Sequence, residues 1–434
     1  MRIKANTGLL VALLAVGLLL PACGDVATGK APEKNGLQFP VGLAVHPYAG
    51  FALVVNSNFD LSHYGGTLQV IDLNKLVARV KGEAAAEDEY NRDLIRGDLG
   101  IGLGDFGGSI ALDPTPEGGL AAVAVRGTND LVLVDLLVGS DGSGTTLDLL
   151  CWSRRERPGG SFPECDGSGS VISFDRDDPF DVLFVDGQNG EKNAFVTFLR
   201  DGYISAVQIP GRCVVGDPPA LEYVDIPRLT YTLKTGAAGT NDLARSPVTG
   251  HVYATSRVAE SRYNPIHYFD PVMAEDSPVY NVNLFSTILG SGTRGISFAA
   301  DGLTAGVIVR NPDMLVFLDT SPGEDGLPKN GYLGQVVLGN NPSRVRTHGD
   351  YMYATCAQDD AVFVVDTRTR HLVEMREDIC RGPYDIDFYD LGQDDLQWAL
   401  ISCFEDDVVA VLDVNPDSAD FLEVVARIGK PRDE

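Results

Sequence analysis

The sequence predicts an all-β fold, and three observations carry that expectation. A unit of similar pattern recurs seven times, from PVGLAVHPYAGFALVVNSN at residue 40 to GPYDIDFYDLGQDDLQWALISCFEDDVVAVLDV at residue 382. Each copy alternates apolar and polar residues over short runs punctuated by Gly, Pro, Asn and Asp, as half-buried strands do. The third strand of each unit closes at Asp72, Asp135, Ile209, Asp270, Asp319, Asp366 or Asp413, and the last two spacings are both 47 residues. A lone three- or four-stranded sheet cannot bury both faces. Seven packed radially can, which makes the expected architecture a single seven-bladed β-propeller of mostly four-stranded blades with loop insertions.

Taken from the start of the chain, residues 1–22 read as a secretory leader: basic MRIK, then GLLVALLAVGLLLP, an apolar run too short to span a bilayer comfortably. The run ends in LPAC, Leu20 to Cys23, which resembles the bacterial lipobox, whose cysteine is acylated and becomes the new N-terminus. Cys23 is therefore the expected lipidation site, and residues 23–38, rich in Lys, Gly and Pro, a flexible lipid-anchored tether. The propeller follows over 39–431. Without the leader the chain has 32 basic and 61 acidic residues. Such a field disfavours nucleic acid and anionic lipid surfaces as partners, so any membrane contact runs through the lipid anchor.

Within the propeller, outer strands are readable as FSTILG before the fifth unit, HLVEMRED after the sixth and FLEVVARI after the seventh. The insertion KGEAAAEDEYNRDLI, Lys81 to Ile95, has helix-favouring composition. A second insertion, Val138 to Asp178, carries CWSRRERPGGSFPEC, and a bridge between Cys151 and Cys165 closes a loop worth about 3 kcal/mol on the chain-entropy estimate. With Cys23 set aside, six cysteines remain for an oxidising compartment. Folding the last unit as a hairpin about Leu391 sets Cys380 opposite Cys403, the favoured pair; Cys356 with Cys380 is the runner-up, and Cys213 then pairs with Cys356 or both stay free.

VGLAVHPYAGFALVVNSN with LQVIDL, and MYATCAQDDAVFVVDT, resemble the YVTN-repeat seven-bladed propellers, surface and periplasmic proteins related to the lactonase-like propellers. The resemblance covers about residues 39 to 430 and implies the fold; such propellers bind, scaffold or catalyse. It also implies a ligand face, where the loops joining second to third strands meet the lead-ins to first strands. Counting along each unit puts Arg126, Arg200, Arg257 and Arg310 at the ends of second strands and Arg294, Arg344 and Arg381 at the lead-ins. Seven arginines of an acidic chain are thus expected around one channel mouth. Guanidinium forks match carboxylate, sulfate or phosphate, so an anion-binding mouth is one reading; neutralisation of Asp201, Asp313 and Asp385 is the other.

Catalytic signals are few. The six histidines fall in turns and strand edges without metal-ligand spacing, DRDDPFD lacks the spacing of an EF-hand loop, and no C-x-x-C occurs. Neither metal nor cofactor is expected. The function expected is that of a monomeric envelope lipoprotein whose loop face binds or scaffolds a partner, an envelope protein or a small anionic ligand, without catalysis. The alternative is an enzyme of the lactonase or lyase type acting at the central channel.

Overall fold

Among the described residues seven sheets follow one another along the chain, each built on three or four antiparallel strands in up-and-down order from a first strand outward, the first two extended by strands of the 138–178 insertion. The computed structural model describes residues 29–432 except 141–143, 158–160, 188–189, 216–219, 224, 258–265, 273–276, 283–291 and 391–395, and not the side chains of 212–224. The leader, Cys23, the FSTILG segment and the Cys213 thiol lie outside the described residues. The first strands are Pro40–His46, Gly107–Thr115, Pro179–Asp186, Thr240–Arg245, Thr293–Phe298, Pro342–His348 and Pro383–Asp390. Each packs against the first strand of the next sheet, and the seventh packs against the first.

The strand alternation explains how these sheets hold together. In Phe51–Asn56, residues Phe51, Leu53 and Val55 face one neighbouring sheet while Ala52 and Val54 face the other. Both faces are therefore core, and among the described residues seven apolar clusters fill the spaces between successive sheets, including one between the seventh and the first. Burying one such Leu, Val or Phe contributes about 1.5–3 kcal/mol, so the stability is spread around the arrangement. The result is a propeller-like fold.

Each first strand breaks register with the second near its N-terminal end. In four sheets a second-strand hydroxyl fills that break: the amides of Asp181, Asp242, Arg344 and Asp385 donate to Thr197, Thr255, Thr355 and Ser402 at 2.9–3.1 Å. Thr197 and Thr355 then donate onward to Asn241 O (2.7 Å) and Tyr384 O (2.9 Å) of the following sheet. The bulge turns the third residue of the strand toward the centre of the ring.

Two sequence expectations change here. The helix is Leu73–Val80 and not Lys81–Ile95, which holds a single 3-10 turn at Arg92–Leu94. Asp72 caps the helix by accepting the Lys75 amide at 2.9 Å, and Leu73 and Leu76 bury its apolar face. The charged segment after it has no such face until Leu94 and Ile95, and Gly82 at φ +73 ends the helix. Residues 29–38 of the expected tether lie along the first sheet, where Gln69 donates to Glu33 O (3.1 Å) and Lys34 O (3.2 Å) and Leu37 is buried.

The expected outer strands after the sixth and seventh units are present as His371–Arg376 and Val424–Ile428. Disulfides join Cys151 to Cys165 and Cys380 to Cys403, while Cys356 is buried and free, so the pairing of Cys356 with Cys380 does not occur. In the seventh sheet Pro383 lies opposite Cys403, which brings the preceding Cys380 into reach. Three of the histidines expected in turns and strand edges are buried: His46 at the end of a first strand, His251 just before a second strand and His267 within a third.

Candidate anion-binding cavity

The ends of the second strands and the starts of the first strands surround a cavity of about 440 Å³. Five of the seven predicted arginines line it: Arg126, Arg257, Arg294, Arg310 and Arg344. The other two lie outside. Arg200 is exposed and paired with Asp178 at 2.8 Å, and Arg381 is held by Asp406 at 2.6 Å and by Arg432 O at 2.8 Å. Arg126 shares Asp178, at 3.1 Å, so one carboxylate serves both guanidinium groups.

Arg294 and Arg310 are different. The Arg294 Nη1 donates to Arg257 O (3.2 Å) and Thr293 O (3.0 Å), while Arg310 donates from Nε to Pro342 O (2.8 Å) and from Nη2 to Ser343 Oγ (3.3 Å). Among the described residues, neither has a carboxylate within ion-pair distance. Burial, and then the positive charges of Arg310 and Arg257, push the Arg294 guanidinium down to about 9. Burial also lowers Arg310. Among the described residues, Glu405 is the one acidic side chain on the lining. Carbonyls orient these guanidinium groups without neutralising them, leaving a fixed positive wall.

Arg344 forms the floor and has the opposite status. It is 2 % exposed and ion-paired with Asp242, with Asp181 at 3.1 Å and with Asp385 at 3.6 Å. All four residues occupy the inward-turned position after the bulge, in the sixth, fourth, third and seventh sheets. The carboxylates are held in turn by neighbouring strands: Asp181 accepts Leu243 N–H (2.8 Å), Asp242 accepts Ile296 N–H (2.8 Å) and Asp385 accepts Leu43 N–H (3.2 Å). This layer divides the interior. Beyond it lies a second hollow of about 660 Å³, lined by Arg346, Asp181, Leu183 and Phe298.

The sequence reading thus brought the right arginines to one face and treated them alike, whereas the structure sorts them into neutralised and uncompensated groups. Of the expected neutralising acids, Asp385 meets Arg344, whereas Asp201 pairs with Arg176 at 3.4 Å. The central carboxylates were not anticipated as a set. Their signal is a Pro or Thr two residues before an inward charge, in PFD, TND, PSR and PYD. An aromatic side was also missed: Phe59, Phe106, Phe404 and Tyr384 line the cavity, with the Phe59 ring centroid 6.0 Å from Phe106 and 5.2 Å from Phe404. Among the described residues no group of three His, Cys, Asp or Glu side chains could hold a metal ion.

No protein-family model matches the chain, and no curated protein matches it by sequence. Solved structures do. A periplasmic gluconolactonase from Pseudomonas aeruginosa is 15% identical with a TM-score of 0.53, covering 91% of this chain and 97% of its own. Sqt1 from Saccharomyces cerevisiae is 11% identical with a TM-score of 0.53, covering 89% and 99%. A putative 6-phosphogluconolactonase from Bacteroides uniformis is 14% identical with a TM-score of 0.50, covering 90% and 96%. At these identities the likeness is one of fold, and it is to β-propeller-like proteins.

Proposed function

We propose that this protein is an extracytoplasmic seven-bladed propeller that binds a small organic anion, carboxylate or phosphate, in its arginine-lined cavity. One observation carries the reading: among the described residues, Arg294 and Arg310 face the cavity without a carboxylate partner in a chain whose net charge is −27. A protein with so many acids has ample means to neutralise two arginines, and here it supplies carbonyls instead. The two disulfides support an oxidising compartment, and the LPAC motif at Cys23 supports attachment to a membrane of the cell envelope through lipid. Calorimetric titration with citrate or glucose 6-phosphate tests the site. Binding that weakens with salt and falls at least about tenfold in Arg294→Ala/Arg310→Ala is expected; equal, salt-insensitive affinities sink the proposal.

A second reading, that the cavity hydrolyses sugar-acid lactones, draws on two of the structural neighbours, described as a gluconolactonase and a putative 6-phosphogluconolactonase. Water adding to a lactone carbonyl creates an oxyanion, and cleavage of the ring C–O bond leaves a carboxylate. Both are anions that fixed guanidinium groups stabilise. A pH-stat assay with glucono-δ-lactone separates the readings, because acid release no faster than the spontaneous rate removes the lactonase and leaves the binding site standing.

A further inference from the structure

Two chemically distinct groups of side chains line the cavity, and the order of the sheets puts most of each on opposite sides. Arg257 ends the second strand of the fourth sheet, while Arg294 and Arg310 belong to the fifth. Four aromatic side chains come from the far side of the ring: Phe59 follows the second strand of the first sheet, Phe106 leads into the second sheet, and Tyr384 and Phe404 belong to the seventh, while Phe180 of the third sheet and Arg126 of the second also line the cavity. With seven sheets in sequence around the centre, the first lies across from the space between the fourth and fifth.

The aromatic wall is continuous. Phe404 lies 5.2 Å from Phe59 and 6.2 Å from Tyr384 between ring centroids, and Phe59 meets both Phe106 and Phe404 edge to face. Phe59 remains 52% exposed, so a phenylalanine stands at the cavity with much of its surface uncovered by the protein itself. A hydroxyl-rich ring needs a polar partner for each hydroxyl it buries, and three of these four side chains offer none. An apolar ring needs only the packing area they present.

We infer that the natural ligand is an aryl anion: an aromatic ring packed on Phe59 and Phe404, with its carboxylate or phosphate directed at Arg294 and Arg310. This rests on the anion-binding reading above and is independent of the lactonase one. A cavity of about 440 Å³ takes one substituted ring and falls within the size range of small-molecule sites.

Titration calorimetry on the full chain, with phenyl phosphate, inorganic phosphate and glucose 6-phosphate as probes, tests it. Phenyl phosphate is expected to bind about tenfold tighter than inorganic phosphate, the gain a buried ring contributes. Phe59→Ala, at an exposed position that leaves the fold intact, is expected to remove most of that advantage without weakening inorganic phosphate. Arg310→Ala weakens all three probes. Equal binding of phenyl and inorganic phosphate, unchanged by Phe59→Ala, overturns the aryl ligand while the anion site stands. Tighter binding of glucose 6-phosphate than phenyl phosphate also overturns it, in favour of a hydroxylated ring. No binding of any probe removes the anion site itself.

Discussion

Arg344 of the sixth sheet reaches Asp181 of the third at 3.1 Å across the centre of the ring, and both side chains are almost wholly buried. Asp242 and Asp385 complete the contact. Three carboxylates thus meet the Arg344 guanidinium, Asp242 also pairs with Arg346 at 3.4 Å, and each is fixed by an amide of the next first strand. Removing the arginine strands buried negative charge, which costs far more than the net worth of the ion pairs. Arg344→Met is expected to lose about 3–5 kcal/mol in urea unfolding at neutral pH. Adding Asp181→Asn to that variant is expected to recover part of the loss, since among the described residues Asp181 pairs with Arg344 alone and its unpaired charge is then gone. A loss below about 1 kcal/mol would show that these carboxylates tolerate isolation, contrary to the argument.

Two titratable groups give stability opposite dependences on pH. Burial raises the Asp387 carboxyl to about 6 although the Val45 and Phe388 amides donate to it. Its folded value exceeds its unfolded one, so the native state holds the extra proton and stability falls as pH rises from about 4 to about 6. His267 is depressed to about 4 by burial between Asn281 Oδ1 (2.6 Å) and Ser256 Oγ (3.1 Å). There the unfolded chain takes up the proton first, so stability falls as pH drops from about 6.5 toward 4. Relative to wild type, Asp387→Asn should gain stability as pH rises through its window and His267→Gln should gain as pH falls through its own. Each difference curve spans at most about 3.5 kcal/mol. Difference curves of the same sign would contradict the assignment.

What was legible in the sequence followed local rules. Asp360 and Asp407 sit in the left-handed turn conformation at φ 52 and φ 57, as the doubled Asp-Asp pattern between second and third strands requires. The closing residues at Asp72, Asp319, Asp366 and Asp413 end their strands. What was not legible depends on distance along the chain. Arg344 could be placed at the channel from its own unit, but its partners Asp242 and Asp181 are 102 and 163 residues away. Likewise Phe59 and Phe404 meet because the seventh sheet packs on the first, and neither residue's local pattern says so. The helix was misplaced because composition favours a charged segment, whereas capping by Asp72 and burial of Leu73 decide where it forms.

The two disulfides close loops of 14 and 23 residues. Removing either as a Cys→Ser pair is expected to cost about 3 kcal/mol, mostly by freeing the unfolded chain. The Cys151→Ser/Cys165→Ser effect should be confined to the insertion if that loop opens alone, and hydrogen exchange would show it. Peptide mapping without reduction is expected to recover Cys380 joined to Cys403. Cys356 should resist iodoacetamide until the protein unfolds, because it is buried and burial pushes its thiol up to about 12. Rapid labelling of Cys356 in the native protein would contradict this packing.

Gly295 sits in the fifth first strand at the position that carries Asp181, Asp242, Arg344 and Asp385 in other sheets. Those side chains have room because Thr or Ser hydroxyls shape the bulge beside them. In the fifth sheet no hydroxyl faces that position; Ile308 occupies the second strand there and is wholly buried. A Cβ on Gly295 would lie 2.7 Å from the Val345 amide nitrogen of the next sheet, a backbone atom that cannot rotate away. Gly295→Ala is therefore expected to force the fifth and sixth sheets apart at a cost of about 1–3 kcal/mol. Gly211→Ala is the control, since nothing lies within 4 Å of its added carbon and the expected change is within about 0.5 kcal/mol. Equal unfolding midpoints for the two variants would mean that the first strands do not press on one another at this layer.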